Sequence, residues 1–212
     1  MRQYLWLWKA AVKTCRMDEI IEALREAKAC LEAFISDEAA LKNVALASDI
    51  MSAAIAGGGK IIAVGNGGSL CDATHFCEEL TARFRRDRRA LAAIAANDAA
   101  FITCAANDFD PKDIFKRYVE ALGRGGDVLL AISTSGNSEN VLRAAKEAGA
   151  LGMKVVALTG KDGGQLGRFA DVEIRAPQSR YSDRAQEIHI KVIHILVQEI
   201  EKKVIYGGKE NV

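Results

Sequence analysis

The chain has 212 residues, half of them hydrophobic and 27% charged, with 29 Lys plus Arg against 28 Asp plus Glu and a net charge of +1. That length suits one α/β domain, or one domain with a helical appendage, and is enough to bury a full core. The near-neutral balance leaves no electrostatic basis for a nucleic-acid binder or a polybasic membrane anchor, and no apolar run reaches the ~20 residues that span a bilayer.

Residues 1–16, with Tyr4, Leu5, Trp6, Leu7 and Trp8, read as an N-terminal extension, too short and aromatic for a signal-peptide core; Met17 is an alternative start. The five cysteines (Cys15, Cys30, Cys71, Cys77, Cys104) form no CxxC pair. Their odd count and the lack of a secretory leader predict reduced thiols in the cytoplasm. Residues 17–59 form a helical pair. Ile20, Ile21, Leu24, Ala27, Leu31, Phe34 and Ile35 recur at helical spacing, Ser36-Asp37 breaks the run and offers an N-cap, and a second helix carries Leu41, Val44, Ile50, Met51 and Ile55 to the stop at Gly57-Gly58-Gly59.

Residues 60–206 change pattern. Short apolar runs at Lys60–Val64, Ala90–Ala95, Asp127–Ile132, Lys154–Leu158 and Asp171–Ile174 alternate with helices expected at 69–84, 98–106, 111–122 and 137–150, and a long amphipathic helix follows at 183–203. This is the pattern of an α/β fold, a doubly wound, mostly parallel five-stranded sheet flanked by helices. Ligands of such sheets sit at the carboxyl ends of the strands. The loop after the first strand is Gly65-Asn66-Gly67-Gly68-Ser69, where glycines admit close main-chain approach and Ser69 is a candidate helix cap. It lacks the GxGxxG spacing of a dinucleotide fingerprint. The third strand runs into Ser133-Thr134-Ser135-Gly136-Asn137-Ser138 at a helix N-terminus, a ready anion site without Walker A spacing, and so better suited to a phosphate monoester than to a nucleoside triphosphate. Asn107-Asp108-Phe109, after the short helix that follows the second strand, is either a turn or a contact for sugar hydroxyls. The basic run Arg83 to Arg89 reads as a solvated loop, or as an attractor of anionic substrate.

Acid–base and metal-type residues lie on two helices. His75 and Glu79 are spaced i, i+4 and share a face; Gln186, His189 and His194 lie on the last helix. Two histidines, a carboxylate and an amide would suit zinc. At about 100° per residue, either His189 or His194 can join Gln186, and periodicity does not choose between them.

These stretches resemble the bacterial phosphoheptose isomerases of the sugar isomerase (SIS) family. The likeness is carried by Gly65–Ser69, by His75-Phe76-Cys77-Glu78-Glu79-Leu80-Thr81, by Asn107-Asp108-Phe109, by Gly126–Ser138, by Leu158–Gly164 and by Gln186-Glu187-Ile188-His189-Ile190-Lys191-Val192-Ile193-His194, in order over residues 17–203. The resemblance implies interconversion of sedoheptulose 7-phosphate and D-glycero-D-manno-heptose 7-phosphate, the first step toward nucleotide-activated heptose for surface polysaccharide. It implies one zinc ion per subunit on His75, Glu79, Gln186 and His194, which favours His194 over His189. It implies substrate contacts at Asn66, Gly67, Gly68, Ser69, Glu79, Asn107, Asp108, Ser133, Thr134, Ser135, Ser138 and Gln186, with Glu79 and His194 catalytic, in a cytoplasmic homotetramer with sites at subunit interfaces. The stretch Pro177–Ser182 departs from the family pattern. A non-catalytic SIS protein that binds a sugar phosphate or a replication initiator is the alternative, as is another SIS isomerase acting on a hexulose 6-phosphate.

Overall fold

In the computed structural model, which describes residues 4–207 with side chains from Met17 onward, five short apolar runs form one all-parallel sheet. The side chains of residues 4–16, Cys15 among them, lie outside the described residues. The strands are β1 (Ile61–Gly65), β2 (Ala93–Ala95), β3 (Val128–Ser133), β4 (Lys154–Thr159) and β5 (Val172–Arg175), in the order β2-β1-β3-β4-β5. Strand order reverses between β1 and β3, which pair from Ile61↔Val128 to Gly65↔Ile132.

Side chains alternate across the sheet with the period of two that a strand dictates. Ile61, Ala63, Val128, Leu130, Ile132, Val156 and Leu158 enter one core, while Ile62, Val64, Leu129, Ala131, Val155 and Ala157 enter the other. The first core is covered by α1 (Tyr4–Ile35), α2 (Glu38–Ala56), α3 (Gly68–Thr81) and α8 (Ser182–Val204); the second by α5 (Ile114–Leu122), α6 (Glu139–Ala150) and α7 (Gly164–Phe169), with α4 (Ala99–Asp108) at its margin. Because both faces are covered, both β1 and β3 are wholly buried, and β3 is apolar up to its last residue, Ser133.

The helix expected from residue 17 begins at Tyr4, since the preceding stretch has neither Pro nor Gly to stop it. Asp37 caps α2 as expected, its carboxylate accepting from the amides of Ala39 and Ala40. By length and composition α2 would also pass for a bilayer-crossing helix, contrary to the reading of the apolar runs, but its Val44, Ala47, Met51 and Ile55 are buried in the first core. β2 is shorter than expected because residues 90–92 precede its pairing with β1. The 111–122 helix begins as a 3₁₀ turn at Pro111–Asp113.

Candidate active site

The site is assembled from the loops after β1 and β3, which flank the point where strand order reverses, and from the α3 and α8 helices. At such a point adjacent loops diverge and leave a crevice. Gly67, at φ 53°, turns the chain into α3 and is the residue at its N-cap position. Ser69 is therefore not the cap; it lies in the first turn, only 4% exposed. Asn66 is held by Asn140 of α6 in a reciprocal pair, each amide donating to the other's oxygen at 2.9 and 2.8 Å. The two loops are thereby tied across the reversal point.

In the second loop Ser133 Oγ donates to Ser138 Oγ at 3.0 Å and lies 3.5 Å from Ser135 Oγ, while Ser135 Oγ accepts from the Asn137 amide at 3.2 Å. Ser138 sits at the N-cap of α6 yet makes no capping bond. The Val141 amide donates to Asn140 Oδ1 at 3.0 Å, and the Glu139 and Asn140 amides before it are the ones that keep their affinity for an anion. The β4–α7 connection buttresses this loop from behind. Leu166 N–H donates to the Gly136 carbonyl at 2.9 Å, and the Gln165 amide donates to Asn137 Oδ1 at 3.1 Å.

The opening turn of α8 rests on both loops. A Cβ on Gly68 would meet Gln186 Cδ at 3.0 Å, and one on Gly160 would meet Thr134 O at 2.8 Å and Ala185 Cβ at 3.2 Å. Gly160 is required for this close approach, since its neighbour is main chain, whereas at Gly68 the neighbour is the movable end of the Gln186 side chain. Two turns further along α8, His194 faces α3. His194 Nε2 stands 3.0 Å from His75 Nε2, and His75 Nε2 stands 3.4 Å from Glu79 Oε1. One coordinating atom from each of the three residues fits within 4.8 Å of the others. A tetrahedral zinc with bonds of about 2.0–2.1 Å separates its ligand atoms by about 3.3–3.4 Å, so the spacing and the N, N, O donor set both fit that ion. Two Nε2 atoms pointed at one another otherwise require one ring to donate and the other to accept. Glu78 lies 3.6 Å from His75 Nδ1, and Phe84 stacks on His194 with centroids 5.8 Å apart.

His189 is elsewhere. It is fully buried, with Nε2–H donating to the Thr159 carbonyl at 2.8 Å, and burial pushes its pKa down to about 4. Of the two histidines on α8, then, His194 is the one beside His75 and Glu79. Asn107 and Asp108 are not in a loop but in the last turn of α4, exposed, with Asn107 Nδ2 donating to Asp108 Oδ1 at 2.7 Å and Asp108 accepting from Cys104. Their hydrogen bonds do not join them to the other loops.

Two residues near the site gave no signal in the sequence. Asp72, three positions before His75, has its carboxyl pushed up to about 6 by burial, against the pull of His75, and its Oδ2 lacks a hydrogen-bond partner among the described residues. Arg88, from the supposedly solvated basic run, has a side chain only 1% exposed.

The SIS domain family matches residues 24–160. The chain is 55% identical to the phosphoheptose isomerase of Aeromonas salmonicida over 85% of this chain and 94% of that one, and 54% identical to that of Escherichia coli O7:K1 over 89% and 98%. Among solved structures, the phosphoheptose isomerase of Francisella tularensis superposes with a TM-score of 0.83 at 36% identity, covering 88% of this chain and 98% of that one. That of Neisseria gonorrhoeae superposes with a TM-score of 0.82 at the same identity and coverage. The Vibrio vulnificus NanR protein complexed with ManNAc-6P, at 19% identity and a TM-score of 0.59 over 93% of this chain and 66% of that one, shares the fold alone. With the family matched over most of the chain and curated relatives at 54–55% identity over nearly their whole length, the chain belongs to the SIS-domain family, in its phosphoheptose isomerase branch, and is an isomerase.

Proposed function

We propose that this isomerase interconverts sedoheptulose 7-phosphate and D-glycero-D-manno-heptose 7-phosphate, in the cytoplasm, as the first step toward nucleotide-activated heptose for surface polysaccharide. The observation that carries the reading is the convergence of His75, Glu79 and His194 from two helices, one of which also rests on the hydroxyl-rich loop after β3. A site with acid–base groups at one end and an anion cradle at the other fits a phosphorylated sugar whose reacting carbons lie far from its phosphate.

Ketose–aldose interconversion moves a proton between C1 and C2 through an enediolate. Glu79, with Oε1 toward His75, has Oε2 to take the proton from carbon and return it to the neighbouring carbon. His194 exchanges protons with the substrate oxygens, and the Phe84 ring fixes its imidazole plane. His75, Glu79, Gln186 and His194 would hold one zinc ion per subunit, which when bound supplies Lewis-acid stabilisation of the charge that develops on those oxygens. Ser133, Thr134, Ser135 and Ser138, with the first amides of α6, hold the phosphate and anchor the reacting end through remote binding energy. Asn66, Gly67, Gly68 and Ser69 line the sugar on the β1 side. Asn107 and Asp108 reach a substrate only in an assembly, consistent with a homotetramer that has its sites at subunit interfaces.

The test is incubation of the purified protein with sedoheptulose 7-phosphate, with and without a chelator. Heptose phosphate should form, and should stop forming once zinc is removed. Absence of turnover in the zinc-loaded protein would leave the non-catalytic sugar-phosphate-binding alternative.

A further inference from the structure

Arg88 stands among five arginines within residues 83–89, yet its side chain is only 1% exposed. It cannot meet a substrate from that position. A guanidinium has five donors in a fixed planar fork, and Arg88 uses them in two directions. Nη2 donates to the Glu79 carbonyl at 2.6 Å and Nη1 to the Ala82 carbonyl at 2.9 Å, filling main-chain acceptors that the end of α3 leaves open. Nε donates to Glu201 Oε1 of α8 at 2.7 Å. Glu201 lies two helical turns beyond His194, on the same side of α8, and its side chain is 7% exposed.

One side chain therefore bonds the peptide of the proposed carbon base and also the helix that brings His194 to it. We propose that Arg88, with Glu201, is a positioning residue: it sets the separation of α3 and α8, and with it the 3.0 Å approach of His75 to His194. The inference rests on the reading of His75, Glu79 and His194 as the reacting site. Stability does not account for the pair, because a buried ion pair can often be exchanged for apolar side chains without loss of stability. What an apolar pair cannot do is bond the Glu79 carbonyl.

That difference supplies the test. The double variant Arg88→Met/Glu201→Leu should still unfold cooperatively, with a melting temperature lowered only because the Glu79 and Ala82 carbonyls lose their donor. Its zinc affinity, measured on metal-free protein by competition with a chromogenic chelator, should fall about 10–100-fold, the usual effect of disturbing the groups that support a metal's ligands. Its kcat for sedoheptulose 7-phosphate should fall by a similar factor with KM within about twofold, the split expected when only the reacting geometry is disturbed. Wild-type zinc affinity or wild-type kcat in the folded double variant overturns the proposal. Should the double variant not fold, Arg88→Lys, whose single ammonium cannot reach Glu201 and the Glu79 and Ala82 carbonyls together, is read on the same two measurements with the same meaning. Glu79→Gln is run in parallel. If it too binds zinc and turns over like wild type, the site reading has failed; if it is impaired while the Arg88 and Glu201 variants are not, the positioning proposal alone has failed.

Discussion

At the scale of single residues, two histidines on one helix have opposite fates for reasons their spacing does not encode. His194 lies beside a second imidazole and a carboxylate, whereas His189 points into the core, with its one described bond to a carbonyl. The two are five residues apart, about 140° around the helix, so which of them faces α3 is set by how α8 docks, and spacing within α8 does not specify that. Family resemblance pointed to His194; the packing of α8 explains it. Glu79→Gln should leave the fold intact and lower kcat by ~10²–10⁴, the range for loss of general acid–base catalysis; steady-state kinetics on the zinc-loaded variant check this, and wild-type turnover would remove Glu79 from the base role. His189 carries a pH signature of its own. Its folded pKa lies near 4 and its unfolded value near 6.5, so the unfolded chain binds the extra proton. Its contribution is fully present above about pH 6.5 and fades as pH falls toward 4, reaching a loss of roughly 2 kcal/mol by pH 5. Urea midpoints at pH 7.5 and 5.0 should separate more in wild type than in His189→Gln, whose amide can still donate to Thr159.

At the scale of elements, short continuous apolar runs set between helices are strong signals, and all five strands were legible from them. β2 was the least so: Leu91 is buried beside the sheet without pairing in it, which apolar pattern alone cannot distinguish from a strand residue. The α7 helix, only Gly164–Phe169, has two glycines and no amphipathic repeat, and it escaped notice although it supports the anion loop. The same packing makes Gly136 indispensable. Gly136 has φ 63°, and a Cβ there would lie 2.9 Å from Gly164 N and closer still to the Gly163 carbonyl. Gly126 has φ 92° but open space around it. Gly126→Ala should lose only the left-handed backbone cost of about 1–2 kcal/mol, with KM unchanged. Gly136→Ala should lose more stability and also raise KM for the phosphorylated sugar, because the loop must move off α7. Thermal melts with steady-state kinetics on both variants check the contrast; equal effects would mean the loop tolerates displacement.

At the scale of the whole molecule, α1 bears apolar side chains that the chain itself does not cover: Met17, Ile20, Ile21 and Leu24 fall on successive turns and are all exposed. A helical stripe of this kind suits burial against further copies, as the proposed tetramer requires. Leu24→Glu should shift sedimentation velocity toward smaller species, and an unchanged boundary would place the assembly elsewhere. The fold class was readable from alternation of strand and helix, and the two candidate loops from their place after β1 and β3. The buried state of Arg88 was not, because a run of arginines looks the same in sequence whether one of them turns inward or none does.

His75 and His194 are separated by 119 positions, with most of the sheet between them. A ribosome therefore releases the first half of this cluster long before the second. Until α8 emerges, a nascent chain offers a cation only an imidazole and a carboxylate, and it leaves bare the surface that Ile188, Val192, Ile193, Leu196 and Ile200 later cover. In the proposed site, metal capture and catalytic competence are thus coupled to the docking of the last helix, and a chain cut before residue 182 should be an inert, self-associating polypeptide rather than a weak enzyme.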